Sequence, residues 1–213
     1  MKNNNLNVSE KFFIPVVELI KQKKFDEALE FLENLSDENS DIINKFKGSI
    51  YLNKKEWDKS LYYFKKISNE SKNFKIFNNI GFLLYKLGRY SEAINEFHKS
   101  IKINNAFLSA YENLSLTYKQ LGNYSLSIEF SLKALNLSPR NIKIQNNLIE
   151  IFNYYKPNKL KNLIINLNDR ICELDKLTIN NLIEKSFISN VLEKSEKFLK
   201  KSNLKFLYPE TQI

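Results

Sequence analysis

The sequence predicts an all-α chain, an α-solenoid of antiparallel helix pairs, and three observations carry that expectation. The stretch Phe77–Asn104, FNNIGFLLYKLGRYSEAINEFHKSIKIN, returns 34 residues later as YENLSLTYKQLGNYSLSIEFSLKALNLS, Tyr111–Ser138. Four landmarks keep the register, Ile80 with Leu114, Gly88 with Gly122, Tyr90 with Tyr124 and Ala93 with Ser127. A period of this length is that of a helix-turn-helix repeat. The 213 residues also hold only 4 Gly and 4 Pro, too few for the frequent tight turns of a β-sandwich, while 43% apolar residues suffice for a continuous core.

Taken in order, residues 1 to 8 are polar and predict a flexible N-terminus. From Ser9 to Gln22, Phe12, Phe13, Val16, Leu19 and Ile20 fall at helical spacing, with Pro15 tolerable in a first turn. A second helix is predicted for Phe25–Leu35, its Asp26 and Glu27 suiting the positive end of the helix dipole. The next pair is read at Asp41–Asn53 and Trp57–Ser68, with Phe25 aligning on Trp57, Ala28 on Ser60 and Leu32 on Phe64. The two best repeats follow at 74–107 and 108–141.

Close helix crossing needs small side chains, and they recur. Ala28, Ser60, Ala93 and Ser127 lie on the second helices, and Gly48, Gly81 and Ser115 on the first. Gly88 and Gly122 stand where a helix end requires positive φ, Asn141 where the next helix needs a cap, and Pro139 where a helix stops. Beyond Asn141 the pattern weakens. Ile142–Tyr155 keeps an apolar face read as Gln145, Leu148, Ile149 and Phe152, whereas Lys156, Pro157 and Asn158 replace the glycine turn.

The set Phe77, Ile80, Gly81, Leu84, Gly88, Tyr90, Ala93, Phe97, with its copy Tyr111, Leu114, Tyr118, Gly122, Tyr124, Ala134, Pro139, resembles the tetratricopeptide repeat family. The resemblance implies a right-handed superhelix of about five helix pairs over 9–169, the first helix of each pair lining a concave groove that receives peptides. A solenoid leaves its last apolar face open unless an amphipathic helix closes it. The segment 170–205 is accordingly read as C-terminal capping helices, and 206–213 as a flexible tail.

Residues on the groove that are neither core nor turn are the candidate peptide-binding residues. Asn79, Asn113, Asn147 and Asn181 lie 34 apart, each one before a buried apolar position, and Asn78, Asn146 and Asn180 precede three of them. An amide offers both donor and acceptor and so can hold the backbone of an extended segment whatever its sequence. Around this ladder the same faces are predicted to present Lys75, Phe82, Tyr85 and Lys86, then Glu112, Leu116, Lys119 and Gln120, then Lys143 and Glu150. Such a lining suits an acidic or C-terminal segment with an apolar side chain. Replacing the first three ladder amides by Ala is expected to leave the fold nearly unchanged and weaken partner capture. Some members of the family clamp a chaperone's C-terminal carboxylates with a Lys and Asn set. Here Lys45, Asn79 and Lys143 only echo it, and Ser49, Phe82 and Ser109 depart from it.

The chemistry of catalysis has few candidates. His98 is the only histidine and is read as exposed on a second helix; no Gly-rich phosphate loop, nucleophile elbow or metal-ligand cluster is visible, and no catalytic residue, metal or cofactor is expected. One cysteine, Cys172, excludes an internal disulfide and is read as a core residue. The formal charge of +9 offers a second function class, polyanion or nucleic-acid binding through Lys194, Lys197, Lys200, Lys201 and Lys205. Against it, only Arg89, Arg140 and Arg170 are arginine, the residue suited to bidentate phosphate and guanine contacts. No window approaches a membrane-spanning length and no signal segment is recognised, so a cytoplasmic protein-interaction scaffold is the expectation.

Overall fold

The computed structural model describes residues 12–35, 40–67, 73–154 and the single position 184. Among them the regular structure is helical: α1 Ile14–Lys21, α2 Phe25–Glu33, α3 Ser40–Asn53, α4 Trp57–Lys66, α5 Phe74–Lys86, α6 Tyr90–Ile103, α7 Leu108–Gln120, α8 Tyr124–Leu137 and α9 Ile142–Phe152. The ends expected to be flexible, the helix expected to complete a fifth pair, the segment expected to cap the stack, Cys172 and the lysines of 194–205 fall outside the described residues. The chain divides into two compact units, Met1–Ala110 and Tyr111–Ile213.

In the first unit α1 to α6 form three successive pairs. Pro15 sits in the first turn of α1, where its missing N–H costs no hydrogen bond. Phe13, Val16, Ala28, Leu32, Ile43 and Ile50 make one buried cluster, with Phe46 stacked on Phe13 at 5.2 Å between ring centres. The small residues do what close crossing requires. Gly48 lies under the Phe64 ring and Gly81 under the Phe97 ring, and a Cβ on Gly81 would come within 2.6 Å of Phe97 Cε1. The Ser60 hydroxyl donates to the Gly48 carbonyl at 2.7 Å, a bond between first and second helix that Ala93 cannot make with α5.

The turn inside each pair has the same form in all four described pairs. At Gly88 (φ 75°) and Gly122 (φ 72°) the backbone enters the left-handed region, as predicted from the glycines. Lys23 and Lys55, both at φ 60°, occupy the equivalent place in the first two pairs. In each case the next amide donates back to a carbonyl five residues earlier: Lys24 to Leu19, Glu56 to Tyr51, Arg89 to Leu84 and Asn123 to Tyr118, at 2.8–3.0 Å. These bonds close the orphan carbonyls of the helix end whatever the side chain. Lysine nevertheless carries the left-handed penalty that glycine escapes. Lys23→Gly and Lys55→Gly should each therefore stabilise the chain by about 0.5–1 kcal/mol, read as a raised urea midpoint at unchanged m-value.

In the second unit, α7 and α8 pair and α9 packs on α8. Asn123 caps α8 by accepting from the Leu126 amide at 3.2 Å, and Asn141 caps α9 by accepting from Lys143 and Ile144 at 3.1 and 3.3 Å. The apolar face of α9 is Ile144, Leu148, Ile151 and Phe152. This corrects the face read from sequence: Gln145 is only half-buried and donates to the Pro139 carbonyl at 2.9 Å, and Ile149 is half-buried. Ile144, Leu148 and Ile151 follow at spacings of four and three and so share one face, from which Gln145 and Ile149 are each turned by one residue.

Candidate functional site

The helical period places the predicted lining residues in strips on the first helices. On α5, Lys75, Asn79, Phe82 and Lys86 follow one another at spacings of four, three and four, and therefore share a face. Lys75 and Lys86 are exposed, whereas Asn79, Phe82 and Tyr85 are half-buried. The Lys86 ammonium lies 5.3 Å from the Phe82 ring centre and 5.8 Å from that of Tyr85, and Trp57 meets Phe82 edge-on at 6.5 Å. This face is thus cationic and aromatic at once. Asn78, by contrast, is buried at 8% exposure, so its amide is turned into the packing of the unit, where it has a partner.

In the second unit, Glu112, Leu116 and Lys119 form one strip on α7, and Lys143, Asn147 and Glu150 another on α9. Asn146 and Lys143 are exposed; Asn113 and Asn147 are half-buried. The Lys119 ammonium is 2.7 Å from the Glu150 carboxylate and donates to Asn147 Oδ1 at 3.1 Å. Glu112 accepts from Asn141 Nδ2 at 3.3 Å. Burial pushes the Tyr111 phenol up, and the Tyr118 phenol likewise, with the Glu129 carboxylate adding to the effect there.

Asn147 does more than line a surface. Its Nδ2 donates to Ser115 Oγ and to Ser131 Oγ, each at 3.2 Å, and these hydroxyls lie 2.5 Å from one another. Ser115 and Ser127 also clasp reciprocally, each hydroxyl donating to the other's backbone carbonyl, at 3.0 and 2.8 Å. The amide expected to be spare is therefore engaged by three bonds within the chain, and its replacement by Ala is not neutral for the fold. Sequence reasoning named Ser115 as a small crossing residue and passed over Ser131. The available signal was a departure: position 131 carries serine where the pattern has Phe64 and Phe97.

His98 is exposed on α6, as predicted. At the N-terminal end of the same helix Arg89 and Glu92 form a bidentate pair, both bonds at 2.7 Å, which holds the Glu92 carboxyl below its ordinary range. No group of three or more His, Cys, Asp or Glu able to hold a metal occurs among the described residues. No described helix is long and apolar enough to cross a membrane.

Comparison with known proteins agrees with this architecture. Residues 81–122 match a family model described as TPR repeat, and residues 108–141 one described as Tetratricopeptide repeat. A TPR repeat-containing protein of Methanocaldococcus jannaschii is 33% identical over 119 residues, covering 55% of this chain and 21% of that protein. The DnaJ homolog subfamily C member 7 of Homo sapiens is 28% identical over 102 residues, covering 47% and 21% respectively. The chain thus spans about a fifth of the length of these relatives. Among solved structures, MamA aligns over 92% of this chain and 98% of its own at TM-score 0.62 and 18% identity. The first TPR domain of Spaghetti (RPAP3), solved with an HSP90 peptide, aligns over 54% and 92% at TM-score 0.51 and 19% identity. The all-α solenoid of antiparallel helix pairs is shared with these structures, and residues 81–141 of the chain are tetratricopeptide repeats.

Proposed function

We propose that this chain is a non-catalytic adaptor that holds an extended segment of another protein against the first-helix faces of its repeats, in a reducing, cytoplasmic setting. The observation that carries this reading is the strip of polar and aromatic side chains that each of three first helices keeps beside its buried face. Both helices of a pair pack, as Leu83, Leu84 and Leu114 are buried on first helices and Phe64, Phe97 and Ile128 on second ones. First helices keep strips of Lys, Asn, Glu and aromatic side chains at 75, 79, 82, 86, at 112, 116, 119, and at 143, 147, 150. The RPAP3 domain solved with an HSP90 peptide supports a peptide as the kind of ligand.

On α5 the cationic and aromatic strip suits a segment with an acidic group beside an apolar side chain. Polyanion binding is less well supported. Lys21, Lys24, Lys54, Lys59, Lys99, Lys119 and Lys133 each lie within 3.5 Å of a carboxylate, so the charge of these seven is compensated within the chain.

Peptides selected on the full chain from a randomised display library provide the test. Asn79→Ala and Asn113→Ala should each weaken the selected peptides by about 0.5–1.5 kcal/mol, measured by fluorescence anisotropy. Affinities that ignore both substitutions would remove these faces from the assignment.

A further inference from the structure

Three consecutive pairs solve the same packing problem in two different ways. In α3/α4 and α5/α6 a phenylalanine of the second helix lies on a glycine of the first, Phe64 on Gly48 and Phe97 on Gly81. In α7/α8 both positions are serine, Ser115 and Ser131. Two hydroxymethyl groups do not fill the volume of a phenyl ring, and a cleft of about 20 Å³ lined by α7, α8 and α9 lies beside them. Room of that size takes one water or one group no larger than a methyl or hydroxyl.

Its lining is mostly apolar, with Leu116, Ala134 and Ile144, and includes Ser115, Ser131 and Asn147 together with the charged Glu112 and Lys143. The polar part of the lining is not saturated. The Ser115 hydroxyl is committed to Ser127, Ser131 and Asn147. Ser131 Oγ meets Ser115 and Asn147, and a hydroxyl with one donor and two acceptor positions keeps one acceptor position open.

We propose that this cleft is a side-chain subsite that takes alanine or serine from an extended protein segment bound along α7 and α9. The methyl of an alanine lies against Leu116, Ala134 and Ile144, and the hydroxyl of a serine donates to Ser131 Oγ. An aromatic or long aliphatic residue does not fit, so the Gly/Phe to Ser/Ser exchange sets specificity. The assignment rests on the adaptor reading and goes beyond it by naming the residue class selected.

The experiment displays randomised ten-residue segments to the full chain and to the double variant S115G/S131F, which restores the Gly/Phe pair used by the two preceding pairs. The wild-type chain should enrich Ala or Ser at one position, and the variant should lose that preference. A synthetic wild-type-selected peptide with Phe at that position should bind the wild-type chain at least about tenfold more weakly. This peptide-side measurement needs no variant and stands even if S115G/S131F fails to fold. Selected peptides lacking any small-residue position, or an unchanged preference on a folded S115G/S131F chain, overturn the subsite and leave the adaptor reading intact. Failure of the wild-type chain to enrich any peptide overturns both.

Discussion

Phe97→Ala should destabilise the first unit by about 3–5 kcal/mol, the largest single loss expected in the chain. The ring is fully buried and closes over Gly81, a residue that has no side chain with which to fill the void. The opposite change is also costly. A Cβ at position 81 would come within 2.6 Å of Cε1 and 2.7 Å of Cδ1 of a ring packed on all sides, so Gly81→Leu should cost about 3 kcal/mol by overpacking. The two losses are one interaction seen from both sides. G81A/F97A should accordingly lose clearly less than the sum of G81A and F97A, with a coupling of about 1 kcal/mol or more in a urea-unfolding cycle. Additive losses would show that the ring and the glycine are not partners.

Asn147→Ala should destabilise the second unit by about 1–3 kcal/mol, the next largest effect. It removes donors to Ser115 and Ser131 and an acceptor for Lys119. Asn147→Leu separates the causes, since it keeps most of the volume and none of the hydrogen bonds. If polar pairing dominates, the leucine variant melts as low as the alanine one. A leucine variant as stable as the parent would make volume the decisive quantity.

Much of the fold was legible because it depends on backbone rules with sequence signatures. The 34-residue register, the small crossing residues and the positive φ at Gly88 and Gly122 all follow from such rules. Lys23 and Lys55 adopt the same turn without announcing it. There the backbone hydrogen bonds and the packing of both helices outweigh a local preference, and no single-residue rule reports that balance.

The candidate site was legible only in outline. Periodicity put Lys75, Asn79, Phe82 and Lys86 on one face, but it assigns a face and not the state of an amide. Asn78 proved buried and Asn147 engaged because neighbours distant in sequence supply their surroundings, Ser115 and Ser131 above all for Asn147. A mismatch such as Ser131 for phenylalanine acquires meaning only when the vacated volume is seen.

The crossing contacts recur at one sequence separation, Gly48 with Ser60, Gly81 with Ala93 and Ser115 with Ser127, always twelve residues, while the distance from one pair to the next drifts through 32, 33 and 34. The consequence is kinetic. Each hairpin closes a short loop of fixed size before anything distant need be found, so the barrier is set locally and collapse can begin at any pair. Lengthening a connector between pairs then leaves the folding speed of either neighbour almost untouched, whereas doubling the turn within a hairpin costs its pair about 0.6 kcal/mol in closure and slows it roughly threefold.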